Sequence, residues 1–145
     1  MADILHRVAI EGTAPDKVYD ALTTLDGLSG WWIERAAGNP GNGGTIEYPH
    51  VAGLALKVAE LNPGKLVRWE VTGGPAEWVG TTIQFGLHQD GDWTVILFKH
   101  QDWREPVEFM HHCSTRWATV LLSLKQFVET GTGANHPQVT IGNWE

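Results

Sequence analysis

The longest helical pattern in the chain covers residues 108–129. Its apolar residues recur at spacings of three and four and form one broad stripe: Phe109, Cys113, Trp117, Val120, Leu121, Leu124, Phe127 and Val128. Pro106 precedes this stretch and Gly131 follows it, which is the usual placing of proline and glycine around a helix. No second helix of matching length is predicted. We therefore expect this helix to bury its stripe against a sheet.

Strict alternation of apolar and polar residues predicts strands in the rest of the chain. A first strand covers residues 4–10, and a helix with Thr13 as its N-cap and Val18, Ala21, Leu22 and Leu25 on its apolar face follows. Five further strands, joined by turns rich in glycine and proline, are predicted at 46–48, 54–59, 66–71, 79–87 and 94–102. Strands grouped together with helices at both ends indicate an α+β domain with an antiparallel sheet of about six strands.

Eight tryptophans are an unusual number for 145 residues and favour either an aromatic core or an aromatic-lined cavity. Gly27 and Gly30 are expected to interrupt the helical pattern before the adjacent pair Trp31–Trp32, of which only one ring is expected to be fully buried. Trp69 and Trp117 are expected in the interior. The rings expected at edges or turns are Trp78, Trp93 and Trp103.

Composition narrows the class of protein. The length suits one domain, for which we expect a folded unit at 1–133 and a tail at 134–145 in which Trp144 docks on the domain. A formal charge of −7 argues against nucleic acid or an anionic membrane as a partner. Cys113 is the single cysteine, so no internal disulfide is expected, and neither a signal peptide nor a membrane span is apparent. These features predict a cytoplasmic protein.

Three stretches resemble a known superfamily. They are residues 14–23, reading APDKVYDALT, residues 28–32, reading LSGWW, and residues 117–131, with SLK at 123–125 and VETG at 128–131. Together they resemble the START-like helix-grip (SRPBCC) superfamily, and within it the branch named after the activator of the heat-shock-protein-90 ATPase. The resemblance spans roughly residues 4–133. It implies a curved antiparallel sheet wrapped around the C-terminal helix, with a cavity between them that takes an apolar small molecule.

On this resemblance and on the alternation of the strands, we expect an apolar or aromatic ligand between the sheet and the C-terminal helix. His100 shares a strand face with Ile96 and Phe98, so it would also face this cavity, either as a ligand contact or general acid–base, or satisfied by neighbouring groups. The side chains expected to line the site are Trp32, Leu56, Val58, Trp69, Ile83, Phe85, Phe98, His100, Phe109, Cys113 and Trp117.

No cofactor and no metal are predicted. The run His111–His112–Cys113 contains metal-ligand residue types, but adjacent residues of a helix point about 100° apart and do not share a ligand. No nucleotide-binding glycine motif and no Ser-His-Asp pattern occurs. Glu60, Glu70 and Arg116 are polar candidates for the mouth of the cavity, or else solvated ends of elements.

Three functions remain open. A small-molecule binding protein is preferred because no acid–base pair is evident. A cyclase or hydratase using His100 with Arg116 or a glutamate on a polyketide-like substrate is the second, and a chaperone-related interaction module is the third. A chaperone partner is not expected, because the additional chaperone-binding domain of the eukaryotic activators does not fit in 145 residues. Val95 and Leu97 should lie on the outer face of the sheet, where an exposed apolar pair would favour a homodimer.

Overall fold

The computed structural model describes residues 1–134 and 140–144. These residues form one antiparallel sheet and three α-helices. The strands are β1 (Ala2–Glu11), β2 (Ala37–Gly38), β3 (Thr45–Tyr48), β4 (Leu54–Asn62), β5 (Leu66–Gly73), β6 (Thr82–Asp90) and β7 (Trp93–Trp103). The helices are α1 (Pro15–Thr23), α2 (Leu25–Trp31) and α3 (Glu108–Thr130).

The sheet has the order β1-β7-β6-β5-β4-β3-β2, and all its neighbours are antiparallel. The predicted α+β helix-grip architecture is confirmed, with seven strands in place of about six. The additional strand is the two-residue β2, which lies in a stretch where no strand was predicted and pairs with β3. β1 joins the sheet beside β7, so β1 and β2, which follow one another in the sequence, lie at opposite edges of the sheet.

Helix α3 packs its apolar stripe on this inner face, as predicted. Trp117, Leu121 and Leu124 are almost completely buried, and the helix ends at Gly131, whose φ of 86° lies in the left-handed region that glycine adopts without strain. Polar contacts also tie α3 to the first strand. His6 Nε2 lies 3.0 Å from the Ser114 carbonyl oxygen.

Two local predictions in the N-terminal region are wrong. Thr13 is not the N-cap of α1, since the helix begins at Pro15 with Ala14 as the capping residue and no side-chain cap. The Thr13 carbonyl accepts a hydrogen bond from the Thr94 hydroxyl instead, which ties the connection to β7. Gly27 and Gly30 do not interrupt the helical pattern but both lie inside α2, which begins after a Thr24 N-cap whose Oγ1 accepts from the Gly27 N–H.

Burial of the aromatic residues also differs from the expectation. Trp31 and Trp32 are both buried, because α2 places both rings between the sheet and α3. Trp103 ends β7 with its ring buried against Phe109, whereas an edge or turn position was expected. Trp78 lies in a turn and packs on the core, and Trp93 is partly exposed, as expected for these two rings.

The outer face of the sheet is only partly apolar. Val95 is fully buried between its cross-strand neighbours Ala9 and His88, so the expectation that it forms an exposed pair with Leu97 is wrong. Leu97 is 41% exposed. Among the described residues, none of the helices has the length and apolarity needed to cross a membrane.

The predicted tail is described only in part, since residues 135–139 and 145 lie outside the described residues. Trp144 packs near the first turn of α3, with its ring centroid 5.3 Å from that of His112 and 6.1 Å from that of Phe109. This contact agrees with the docking expected for Trp144. The division at residue 133 stays a prediction.

Candidate functional site: an aromatic interior between sheet and helix

Trp32 lies at the centre of an aromatic cluster between the sheet and α3. Its ring is nearly parallel to those of Trp31 and Trp69, with centroids 5.8 Å away in both cases. Tyr48 meets it edge-on at 5.4 Å, and Trp117 from α3 approaches to 5.3 Å. Offset parallel and edge-to-face arrangements are the preferred geometries of aromatic pairs. The cluster therefore joins α2, β3, β5 and α3 through ring contacts alone.

A second group of rings continues from Trp69 along the sheet. Phe85 lies 5.2 Å from Trp69 and 5.3 Å from Phe98, and Phe98 lies 4.5 Å from Trp117. His100 follows Phe98 on the same face of β7, with its ring 6.0 Å from that of Trp117. Six of the eleven predicted site residues thus form one continuous set of aromatic contacts.

Three more predicted residues are aliphatic and belong to the same interior. Leu56, Val58 and Ile83 are buried, and the strand register places Val58, Trp69 and Ile83 in one row across β4, β5 and β6. Their side chains therefore share the inner face that the aromatic cluster occupies. They supply the apolar wall on the side of β4.

The last two predicted residues lie near the N-terminal end of α3. Cys113 is buried, and its Sγ accepts a hydrogen bond from Trp78 Nε1 at 3.4 Å. Burial raises the pKa of the Cys113 thiol to about 11, so this residue is a packed thiol and not an activated nucleophile. Phe109 is only partly buried and contacts Trp103 and Trp144, outside the cluster around Trp32.

His100 is fully buried and both of its ring nitrogens have partners. Trp117 Nε1 donates to Nδ1 at 3.1 Å, so the neutral ring carries its proton on Nε2 and donates it to Thr81 Oγ1 at 2.8 Å. Thr81 in turn donates to the Trp78 carbonyl at 2.6 Å. Burial lowers the pKa of His100 to about 3. The side chain is therefore neutral, and its hydrogen bonds join β7, α3 and the turn before β6.

Other buried polar atoms have no partner among the described residues. They are the Tyr48 hydroxyl, Trp69 Nε1 and Trp103 Nε1. Buried tyrosine and tryptophan polar atoms usually find a hydrogen-bond partner, because an unsatisfied buried donor destabilises the fold. Tyr48 and Trp69 both flank Trp32, whereas Trp103 lies beyond His100. Two of the three unpartnered atoms therefore belong to rings that contact Trp32.

The polar candidates from the sequence do not gather around this interior. Glu60 forms an ion pair with Arg68 at 2.6 Å between the partly exposed side chains of β4 and β5, and Glu70 is exposed on β5. Arg116 lies on α3 and donates to Thr119 Oγ1. Among the described residues, no group of three or more histidine, cysteine or carboxylate side chains is arranged to hold a metal ion.

A surface depression of about 540 Å³ lies elsewhere, between α1 and the C-terminal end of α3. Its walls include Lys17, Asp20, Asp26, Phe127 and Glu129. None of the eleven predicted site residues lines it. This depression is therefore separate from the aromatic interior.

Three residues that matter in the interior were not predicted as site residues. Trp31 donates from Nε1 to the Ala21 carbonyl at 2.8 Å, which fixes α2 against α1. Tyr48 ends a four-residue strand, too short for alternation to indicate which face it occupies. Thr81 lies one residue before β6, and its role appears only through its contact with His100. The one sequence signal for any of these three residues was the position of Tyr48 directly before Pro49, where its strand ends.

An antiparallel sheet closed over a long C-terminal helix, with an aromatic interior between them, defines the START-like helix-grip class. The chain belongs to the family described as "Activator of Hsp90 ATPase homolog 1-like protein", whose model matches residues 12–129. The resemblance that the sequence suggested is therefore confirmed.

Solved structures agree with this assignment. The Aha1 dimer from Colwellia psychrerythraea is 42% identical, covers 92% of this chain and 100% of its own, and has a TM-score of 0.82. Protein SSP2350 from Staphylococcus saprophyticus is 18% identical over 91% of this chain and 95% of its own, with a TM-score of 0.74. CalU16 from Micromonospora echinospora is 18% identical over 89% and 77%, with a TM-score of 0.72. The last two share the fold. No protein among those with curated sequences matches significantly.

Proposed function

We propose that this protein binds an apolar, flat aromatic small molecule in the interior around Trp32. The observation that carries the proposal is that two buried donors without a partner among the described residues, the Tyr48 hydroxyl and Trp69 Nε1, belong to rings that contact Trp32. A ligand with one hydrogen-bond acceptor would satisfy at least one of them. Its apolar surface would stack on the aromatic rings of the cluster. Apolar burial would supply most of the affinity, and the acceptor would fix the orientation.

Binding at this place requires a ring to move, because side chains occupy the interior. Trp32 is the ring that we propose to move. Trp32 directly follows the last residue of α2, and the chain after it leads into the Gly-rich segment before β3. Its ring is held mainly by contacts with other rings. A flat ligand would replace its parallel contacts with Trp31 and Trp69. Association should then be limited by how often Trp32 leaves its position.

The proposal is one of binding without chemical conversion. His100 is the interior residue best suited by type to acid–base chemistry, but both of its nitrogens are engaged and its pKa is lowered to about 3. A base with this pKa binds a proton too weakly for general base catalysis near neutral pH. The partners of the two His100 nitrogens in the described part of the chain are Thr81 and Trp117, neither of which is a carboxylate.

The test compares 2-acetylnaphthalene, which has a carbonyl acceptor, with 2-ethylnaphthalene, which has nearly the same shape and no acceptor. Each compound is titrated by calorimetry and by tryptophan fluorescence, and each is recovered and checked for conversion. Tyr48→Phe removes one unpartnered donor with little change of shape. It should weaken binding of the ketone by roughly 2–10-fold, the equivalent of one net hydrogen bond, and leave the hydrocarbon unaffected.

Tyr19→Phe is the matched control, because Tyr19 is the other tyrosine and lies on α1 outside the cluster. It should change neither affinity. Absence of binding by both compounds, and by larger aromatic ketones, would contradict the proposal. Conversion of any bound compound by the wild-type protein would replace it with the enzymatic alternative.

We further propose that the protein is a homodimer. The support is the 42%-identical relative from Colwellia psychrerythraea, which was solved as a dimer and whose whole length is matched by this chain. Sedimentation velocity over a hundredfold range of concentration tests this directly. A single monomeric species throughout would overturn it.

A second candidate function is stimulation of an Hsp90-class ATPase. The description of the family and the name of the same relative favour it. The test is the ATPase rate of a bacterial Hsp90-class chaperone with and without the purified protein at saturating concentration. An unchanged rate, together with no complex in sedimentation, would remove this candidate.

A further inference from the structure

The first strand has one free edge. β1 lies at the end of the sheet, and among the described residues no strand pairs with its other side. The Gly12 N–H donates to the Asp92 carbonyl at 2.7 Å, so the backbone groups of even-numbered residues in this stretch face β7. The Ala9 carbonyl accepts instead from Lys125 Nζ at 2.9 Å, on the opposite side. The odd-numbered residues therefore present their backbone groups outwards.

Leu5 and Arg7 are the central residues of this free edge. Their N–H and C=O groups point away from β7, and their side chains lie on the outer face of the sheet. Leu5 is 63% exposed, which is high for a leucine in the middle of a ten-residue strand. An unprotected edge of this kind is a template for pairing with another chain. Within residues 1–134 and 140–144, Lys125 covers this edge at Ala9.

We propose that two copies of the chain pair their β1 strands antiparallel, about a two-fold axis that passes beside Leu5. This inference rests on the homodimer proposed above and assigns its interface. The pairing would join the two sheets into one continuous sheet, with both α3 helices on the same side. Because the interface is isologous, each contact occurs twice except the one on the axis.

Charge complementarity selects this register. With the axis at Leu5, Leu5 faces the partner's Leu5, and Asp3 faces the partner's Arg7 on both sides; Asp3 Oδ1 accepts from the Asp102 N–H at 3.0 Å, so the pair would use the other carboxylate oxygen, Oδ2. Directly opposed residues of opposite charge stabilise an antiparallel pair, and like charges destabilise it.

The neighbouring registers are less favourable. With the axis at Arg7, the two arginines would face each other and Asp3 would face the partner's Glu11, so three like-charge pairs would form. That register would also place Leu5 opposite the partner's Ala9, whose carbonyl is already bound by Lys125. With the axis at His6, neither Asp3 nor Arg7 would face an opposite charge.

Apolar contact would add to this pairing. On β7, Leu97 lies opposite Arg7 and therefore diagonal to Leu5, and it is 41% exposed. Diagonal neighbours on one face are within reach of long side chains. The two copies of Leu5 and the two copies of Leu97 would form one apolar patch across the axis, flanked by the Asp3–Arg7 pairs.

Charge reversal tests the register. Arg7→Glu places Glu opposite the partner's Asp3 at both symmetric positions and should raise the dimer Kd roughly tenfold or more in sedimentation equilibrium. Asp3→Lys added to Arg7→Glu restores opposite charges and should return the Kd to within about threefold of wild type. Lys65→Glu is the matched control, because it makes the same change of charge at an exposed turn between β4 and β5 and should leave the Kd unchanged.

Cross-linking tests the position of the axis without relying on affinity. Directly opposed residues in antiparallel strands have Cα atoms about 4.5–5.5 Å apart, within the range that a disulfide spans. Leu5→Cys should therefore form a covalent dimer on mild oxidation. Leu122→Cys is the control, because Leu122 is 57% exposed on α3, which packs on the opposite face of the sheet from the Leu5 side chain. The native Cys113 is buried.

The outcomes separate this inference from the homodimer itself. A wild-type protein that is monomeric at all concentrations overturns both. A dimeric wild type in which Arg7→Glu has no effect and Leu5→Cys does not cross-link overturns the β1 interface and leaves the dimer standing. Weakening by Arg7→Glu without restoration by the double variant overturns the proposed register.

Discussion

Replacing His100 by glutamine should remove a large part of the pH dependence of stability. In the native protein His100 is neutral, with Nδ1 accepting from Trp117 and Nε2 donating to Thr81. Glutamine is also neutral and carries one acceptor and one donor at its end, so it can keep both contacts. Unlike histidine, it does not gain a proton when the protein unfolds in weak acid.

The sign follows from the two pKa values. Burial lowers the pKa of His100 from 6.5 to about 3 in the folded state. Between these values the unfolded chain binds one more proton at this residue than the folded protein does. The contribution of His100 to the free energy of unfolding is therefore highest above pH 6.5 and decreases as the pH falls from 6.5 towards 3.

The magnitude can be worked out at one pH. At pH 4.5 the medium is two units below the unfolded pKa and still above the folded one, so His100 should destabilise the protein by about 2.7 kcal/mol relative to pH 8. The other histidines and the carboxylates are common to both proteins, so their contributions cancel in the comparison. The wild type should lose about 2.7 kcal/mol more than His100→Gln over this range.

Urea unfolding at pH 8 and pH 4.5, monitored by tryptophan fluorescence, measures the difference. His88→Gln is the control, since His88 is exposed on β6 and should show the wild-type pH dependence. Equal losses in wild type and His100→Gln would refute the reasoning. They would mean that the folded His100 accepts a proton as readily as the unfolded one.

Three further outcomes are expected. Trp117→Ala should destabilise the protein by roughly 3–5 kcal/mol in urea unfolding, because it leaves a cavity among packed rings, and a loss below about 1 kcal/mol would contradict core packing. Ser123→Ala should destabilise the protein by about 1–3 kcal/mol in the same measurement, since the buried Oγ donates to the Trp31 carbonyl at 2.7 Å and accepts from the Ala134 N–H at 2.9 Å. Ser123→Thr should keep both hydrogen bonds, and an unchanged stability of Ser123→Ala would contradict their role. A chelator should leave the Tm within error of its value without chelator, and a clear decrease would indicate a structural metal.

The architecture was predictable because its signals are local. The period of three and four in α3 and the alternation in β4, β5, β6 and β7 depend only on which side of a backbone each residue faces, and this repeats within a few residues. The same alternation placed Phe98 and His100 on one face. Errors occurred where periodicity is short or absent, as at Thr13, Gly27 and the two-residue strand β2.

The sequence predicted which side chains of the candidate site face inwards, but it did not predict how these side chains pack against one another. Alternation on β5, β6 and β7 indicated Trp69, Phe85 and Phe98. It could not indicate that Trp31 and Trp32 are both buried, because a residue next to the end of a helix follows neither periodicity. Their burial results from where α2 lies relative to α3.

The sequence by itself determined the class of fold, the inward face of each long strand and the stripe of α3, since these follow from short-range periodicity. Only the tertiary structure decided that His100 is satisfied by Thr81 and Trp117, which lie 19 and 17 residues away in the chain. It alone decided that the donors of Tyr48 and Trp69 have no partner in the part of the chain that the structure describes, and that Lys125 caps the outward edge of β1 at Ala9. Hydrogen bonds between side chains depend on distances and angles of a few tenths of an ångström, and packing sets these between elements that are far apart in sequence.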